Sequence, residues 1–416
     1  MLALFLWVGA SLWVRLSPTQ AVSLPSPATY EPFLDDYVVY WVAGNMVLDG
    51  RTEQLYDLDA IKSAEASAVG RHQEDVLLLP YYNPPFVAAL FAPLALLPLK
   101  ASALLFTAVM LATLSAALFL ILKRLDNPLE IGLWTAGVLS SLPVFYAVGH
   151  GQFSFLVLLI FTATYLLLKK GSDRWAGAML ALLLMKPHLV LLPLLILAYK
   201  RRTTALRGFV LAAGALAGLS LLVAGPSFVV DYPRLLLNAT TWDDDAGILT
   251  WAMYGWNAFF RGILGPEDYG LIGITHLVAS LATAWLCLGS WRGEWQPASR
   301  DFDLRFAILV MCVLLTSPHL YGQDLIIGVL PGALVYMRWQ NHRRLLVAAL
   351  LLTSWFLLYF HFLLLTSSSL NLVTLAMAVA LLSCYAVLPR RARQTNEERI
   401  PKASSSPPLE AVADVS

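Results

Sequence analysis

Apolar runs of roughly 17 to 25 residues, the length that spans a bilayer, recur from the first residue to about residue 388. Few folds are open to a chain so patterned, because lipid offers backbone N–H and C=O groups no partner and each run must satisfy them internally, as helix. The clearest runs are 101–122, 131–148, 152–168, 207–224, 269–291, 345–365 and 370–388. Only 13% of the 416 residues are charged and 58% are hydrophobic, whereas in soluble domains about a quarter are charged. The expectation is an integral membrane protein, all-α, with one embedded domain over 1–389 and no polar stretch long enough for a second. A formal charge of +1 leaves no basic field for phosphates, so a nucleic-acid partner is excluded. Cys287, Cys312 and Cys384 lie far apart inside apolar runs, which predicts small buried residues rather than a disulfide framework or a zinc site.

The opening MLALFLWVGASLWVRL has no basic residue before its apolar stretch, so it resembles a secretory signal poorly and reads as a first helix. Two other regions, 176–199 and 304–337, are interrupted at MKPH (185–188) and SPHLYGQD (317–324). Each reads as two short helices meeting at a break. Basic residues then set the orientation, because Lys and Arg gather in cytoplasmic loops. Twenty fall in one set of loops, from Lys123 and Arg124 to the tail 390–402, and six in the other, among them Arg51, Lys62 and Arg261. This predicts about twelve spans with both termini cytoplasmic, provided that 85–99 makes no separate crossing. Residues 17–84 and 226–268 become extracytoplasmic loops. In the first, YVVYWVAGNMVLDG and LDAIKSAEASAVG carry helical spacing and end at glycine, predicting short helices at the membrane surface. The basic, then Ser/Pro-rich tail 390–416 has little to bury and reads as disordered.

Several residues in this frame have chemistry to offer. Asp35 and Asp36 precede the aromatic segment YVVYW at the outer face; a carboxylate there serves as a general base or as the N-cap of the helix that follows. His150 and Gln152 in GHGQFS lie at an outer boundary, where they would meet sugar hydroxyls or simply form a polar loop. Lys186 and His188 sit in a segment of bilayer depth, where a charge costs at least about 2.5–3.5 kcal/mol and must have a partner. That partner is a lipid phosphate or a buried aspartate. His319 and Asp324 in the second break suggest a cavity, with a Lys186–Asp324 pair as the competing reading. The segment TWDDDAGILTWAMYGWNAFFRG supplies carboxylates, Trp256, Asn257 and Arg261, either an aromatic belt or a sugar-binding surface. The Asn238-Ala-Thr240 sequon carries weight only where such sites are glycosylated.

In order, these segments resemble glycosyltransferase family 87 of the GT-C superfamily, the membrane enzymes that use polyprenyl-phosphate sugars. The resemblance rests on Asp36-Tyr37-Val38-Val39-Tyr40, Ala43, Gly50, Tyr56-Asp57, YNPPF at 82–86, Pro98, Gly151-Gln152, Lys186-Pro187, Asn257 and Ser317-Pro318. It implies a GT-C-like helical bundle performing an inverting sugar transfer at the extracytoplasmic face of the cell membrane. The donor would be a polyprenyl-phosphate sugar, most often mannose, and the acceptor a glycolipid or glycan hydroxyl. Its aspartate carries over to Asp36 as catalytic base, with Asp35 as fallback. Lys186, His319 and Arg261 are the candidates for the donor phosphate, where a leaving group develops negative charge. Tyr40, Gln152, Trp256, Asn257 and Asp324 are the candidates for sugar or acceptor. No cofactor and no metal are expected, the lipid-linked sugar being a substrate and the bilayer the principal partner. The chain departs from the family after Ser317-Pro318, where many members have a Trp and a later His and this one reads His319-Leu320-Tyr321-Gly322-Gln323-Asp324. A transporter or lipid flippase would share broken helices and midplane charges, but the long first loop and the lack of an inverted repeat speak against it. A noncatalytic assembly subunit is the third class.

Overall fold

The computed structural model describes residues 35–76, 78–238, 252–265, 268–339 and 371–388, with scattered helical positions between 344 and 358. The expected first helix at 1–16, the carboxylates Asp243 to Asp245, the sequon's Ala239 and Thr240, most of the run 345–365 and the tail 390–416 lie outside these residues.

Two short helices come first, α1 (Asp35–Leu48) and α2 (Leu58–Val69), matching the expected pair. Asp57 caps α2 by accepting from the backbone N–H groups of Asp59 and Ala60, and Gly70 ends it in the left-handed conformation. Then come α3 (Pro85–Ala95), opened by a proline pair, and α4 (Leu99–Leu122). The run 131–148, expected as one span, is two helices, α5 (Pro128–Leu139) and α6 (Leu142–His150), bent by 49°. The bend falls at Ser140-Ser141, just before Pro143, which removes a backbone donor.

Next are α7 (Ser154–Lys169), α8 (Asp173–Ala181), α9 (Leu191–Tyr199), α10 (Thr203–Ala224) and α11 (Phe228–Asn238). The chain closes with α12 (Gly255–Leu264), α13 (Tyr269–Ser290), α14 (Arg300–Thr316), α15 (Val329–Arg338) and α16 (Leu372–Ala386). Both expected breaks are present: tight 3-10 turns over Leu182–Met185 and Pro187–Leu189 separate α8 from α9, and Gly322–Gly328 separates α14 from α15. Among the described residues α4, α10 and α13 are long and apolar enough to cross a membrane, and the bent α5–α6 pair makes a fourth. Among the described residues several of the other expected runs fold as helices of 9 to 16 residues. The 11-residue α3 is likewise short of a crossing.

α7 and α14 are the most enclosed helices; Phe155, Phe161, Ile308, Val310 and Leu315 are fully buried. Close helix crossings rest on small residues. A Cβ added at Gly177 of α8 would stand 1.8 Å from the Ala205 carbonyl oxygen of α10, and one at Gly208 would stand 2.0 Å from that of Arg174. The three cysteines are buried and unbridged. A single antiparallel pair, β1 (Met253–Tyr254) with β2 (Leu320–Tyr321), in the register Met253↔Tyr321 and Tyr254↔Leu320, ties the start of α12 to the second break.

The two ends of the bundle differ. At one end Arg124 and Lys169 converge on Asp303 (3.3 and 2.7 Å), Arg338 meets Asp301 (2.8 Å), Arg344 meets Glu130 (3.1 Å), and Arg202 pairs with Asp173. The uncommon polar contacts of the other end are described next.

Candidate functional site

Asp36 lies in the first turn of α1, one residue inside the helix, rather than at its cap. Its Oδ2 accepts from Gln152 Nε2 at 2.5 Å. Gln152 is carried by the turn between α6 and α7, where Gly151 takes φ +69° and the Gln152 backbone N–H reaches the Ala147 carbonyl at 3.0 Å. The Tyr40 hydroxyl, one helical turn beyond Asp36, donates to Gln152 Oε1 at 3.2 Å. The Tyr40 ring packs against Phe91 (5.1 Å) and Phe153 (4.6 Å), which also touch each other. The side chain of Asp35 falls outside the described set.

Two residues after Gln152 the same turn supplies Ser154, whose hydroxyl donates to Asp324 Oδ1 at 2.7 Å. Lys186 Nζ donates to that same oxygen at 2.6 Å. Asp324 is buried and Lys186 nearly so, which is the pairing that a charge at membrane depth demands. The lysine sits at the junction of two 3-10 turns because Pro187 cannot continue the first. Freed backbone groups there find other partners: Asn83 Nδ2 donates to the Met185 carbonyl at 2.9 Å, and the Tyr56 hydroxyl to the Asn83 carbonyl at 3.0 Å. The Tyr-Asn segment before α3 is thereby pinned to the first break.

His188 is within electrostatic reach of Lys186, His319 and Asp324, and His319 within reach of Arg261 and His276. On α12, Asn257 Nδ2 donates to the Pro318 carbonyl at 3.0 Å, and Arg261 Nε donates to Asn257 Oδ1 at 3.4 Å with its guanidinium 5.2 Å from the Tyr269 ring. Gly255 opens α12 at φ +79°, and a Cβ there would press on the Leu315 carbonyl oxygen at 3.1 Å, so glycine allows the close approach. Trp256 packs near Phe259 and Phe260, and its indole N–H donates to Thr283 at 2.9 Å. His150 stacks on Tyr146 with ring centroids 5.7 Å apart.

The fold therefore brings Asp36, Tyr40 and Gln152 into one contact chain and Lys186 and Asp324 into another, joined through the turn 152–154, with His319, Arg261 and Asn257 alongside. Trp256 is engaged with α13. Sequence reading missed Glu65, which is 1% exposed although it lies in a helix that looks surface-bound. Glu65 Oε2 accepts from the Leu79 N–H at 3.2 Å, while Oε1 is buried without a partner. Burial, reinforced by the charge of Asp36, pushes its carboxyl up to about 8, against the pull of that hydrogen bond and of Lys62. His276 was missed as well, for want of any motif around it. Among the described residues no cluster of His, Cys, Asp and Glu has the make-up of a metal site.

This arrangement links the Asp36 carboxylate to the Lys186–Asp324 ion pair through the turn 152–154, with Arg261 and His319 nearby. Among known families, the model of glycosyltransferase family 87 matches residues 81–318. The match includes Gln152, Lys186, Asn257 and Arg261, whereas His319 and Asp324 lie just beyond its end and Asp36 lies well before its start. No curated protein and no solved structure matches the chain.

Proposed function

The chain belongs to glycosyltransferase family 87, and on that premise we propose that it transfers a hexose, mannose first among the choices, from a polyprenyl-phosphate donor to a hydroxyl of a glycolipid or glycan. As the acceptor oxygen attacks the anomeric carbon, its proton passes to Asp36. The bond between that carbon and the phosphate oxygen breaks, with inversion. Polyprenyl phosphate leaves carrying the electron pair, and cations must meet the charge it gains. Lys186, His319 and Arg261 are assigned that work, while Asn257 holds Arg261 and the Pro318 carbonyl in register. The observation that carries the reading is the joining of Asp36 and Lys186 through the turn 152–154. A proton acceptor and a counter-charge for phosphate need to sit this way when one displacement uses both. The site faces the extracytoplasmic side of the cell membrane, in a GT-C-like multi-pass bundle with both termini cytoplasmic, and works without a metal.

The test is transfer by the purified protein from a panel of radiolabelled polyprenyl-phosphate sugars, with and without a chelator, beside a lipid-transport assay in vesicles. Labelled product that survives chelation and is lost in Asp36→Asn is the expected result, with Asp35→Asn milder. Transport without product would replace the transferase by a flippase. Near-wild-type turnover in both aspartate variants would remove the base assignment.

A further inference from the structure

We propose that Gln152 is a positioning residue for the Asp36 carboxylate, with its amide oxygen held by the Tyr40 hydroxyl. The inference rests on the base role proposed for Asp36. An ionised carboxylate only accepts, so the amide atom facing Asp36 Oδ2 at 2.5 Å must be nitrogen. The oxygen is thereby turned to Tyr40, whose hydroxyl, 3.2 Å away, is the donor it requires. Flipping the amide would set oxygen against carboxylate and N–H₂ against the phenol, losing the first contact outright. Asp36, which only accepts, thus fixes which way Gln152 points, and Tyr40 supplies the donor that the amide oxygen then needs; the Tyr40 ring packs against Phe91 and Phe153.

The backbone under Gln152 is as firmly held. Gly151 takes the left-handed conformation that ends α6, and Ser154 begins α7 two residues later while bonded to Asp324. Gln152 is 9% exposed, so its contact with Asp36 competes with little water. One turn then sets the carboxylate on one side and the Asp324–Lys186 pair on the other, so the distance between proton acceptor and phosphate cation is a property of that turn. Among the described residues, titratable groups near Asp36 include Tyr40 on its own helix and Glu65 on α2, with Asp324 and Lys186 behind Ser154.

The test uses Gln152→Met, which keeps the volume, and Tyr40→Phe, which keeps the ring, in the purified full-length protein. The first readout is the pH dependence of carbodiimide labelling of Asp36, followed by mass spectrometry, since only the protonated carboxyl reacts. Removing a donor from a carboxylate disfavours its ionised form, so the labelling midpoint moves to higher pH in Gln152→Met and moves less in Tyr40→Phe. The second readout is the pH profile of kcat/KM. Its acidic limb shifts upward with the labelling midpoint, and kcat falls about 10- to 100-fold at unchanged KM, as misplacement of a reacting group costs. An unmoved labelling midpoint in Gln152→Met overturns the proposal whatever the activity does. A raised acceptor KM at unchanged kcat overturns it too, and makes Gln152 an acceptor ligand. Because labelling does not depend on turnover, an active Asp36→Asn would sink the base role separately and be told apart from either result.

Discussion

Lys186 and Asp324 carry opposite charges at a depth where neither stands alone, so each is the other's first partner at 2.6 Å. An ammonium has three donors, and one is used on Asp324. The remaining two are what the phosphate assignment needs. A charge-assisted contact of about 1.5–3 kcal/mol corresponds to roughly 10- to 100-fold in affinity. Lys186→Ala is therefore expected to weaken donor-lipid binding by that factor and acceptor binding by less. Asp324→Ala leaves the lysine buried without its counter-charge, an error of about 3–5 kcal/mol, and is expected to lower folded yield. The double variant recovers the yield but not the donor affinity. Recovery of both, or unchanged donor affinity in Lys186→Ala, reduces the lysine to a structural ion-pair partner. Glu65 makes a different prediction. Its carboxyl is pushed from 4.5 to about 8 in the fold, so between those values the native protein holds a proton that the unfolded chain gives up. Stability then falls as pH rises from about 4.5 to about 8 and is level on either side. Glu65→Gln keeps the shape without the ionisation. It is expected to flatten this fall and to melt several degrees higher than the parent at pH 8. Equal melting curves at pH 5 and pH 8 in the parent would show that Glu65 is hydrated after all.

Helices meet most closely where side chains are smallest, and the crossing of α8 with α10 depends on Gly177 and Gly208. A methyl at either would enter the facing backbone carbonyl at 1.8 or 2.0 Å, and backbone has no rotamer with which to yield. Gly177→Ala is expected to part the helices and lower stability by several kcal/mol, beyond the 1–3 kcal/mol typical of overpacked cores. Gly214→Ala on α10 meets open space and gains helix propensity instead. Melting temperatures of the two variants in detergent should move in opposite directions, and equal small shifts would mean that the crossing is loose. The helices themselves were legible in the apolar runs, their ends in Gly70 and Pro187, and the two broken regions in MKPH and SPHLYGQD. The bend before Pro143 was not foreseen, because an apolar run keeps its composition through a change of direction. Nor was the β1–β2 pair, since two-residue strands have no periodicity to read. The residue pairs were legible only where physics forces a partner: Lys186 had to have one, and Asp324 was among the few acids deep enough. Gln152 and Asp36, 116 residues apart, are each at home at a polar boundary, so neither announced the other.

At the scale of the molecule, α7 acts as a ruler. Ser154 at its start bonds to Asp324 in the candidate site, and Lys169 at its end bonds to Asp303 in the charged belt. Its 16 residues put the two about 24 Å apart at 1.5 Å per residue, somewhat short of a bilayer's hydrocarbon core of about 30 Å. α14 runs the same distance the other way, with Asp301 and Asp303 in the belt and Ser317 and Pro318 at the site. The belt gathers loops rich in Lys and Arg, which in the proposed topology lie on the cytoplasmic face. In that proposal the opposite end, with α1, α2 and Asp36, is extracytoplasmic. Impermeant thiol labelling tests this without reference to activity, because Cys287, Cys312 and Cys384 are all buried and contribute little background. Ser63 is exposed on α2, and Ser63→Cys is expected to react in intact cells. Ser404→Cys, in the basic tail outside the described residues, is expected to react only after the membrane is opened. The reverse pattern would turn the molecule over and place Asp36 on the side where nucleotide sugars are made, so the lipid-linked donor would lose its rationale. Labelling of both in intact cells would mean an even number of crossings between them, one more or one fewer than the basic-residue count implies.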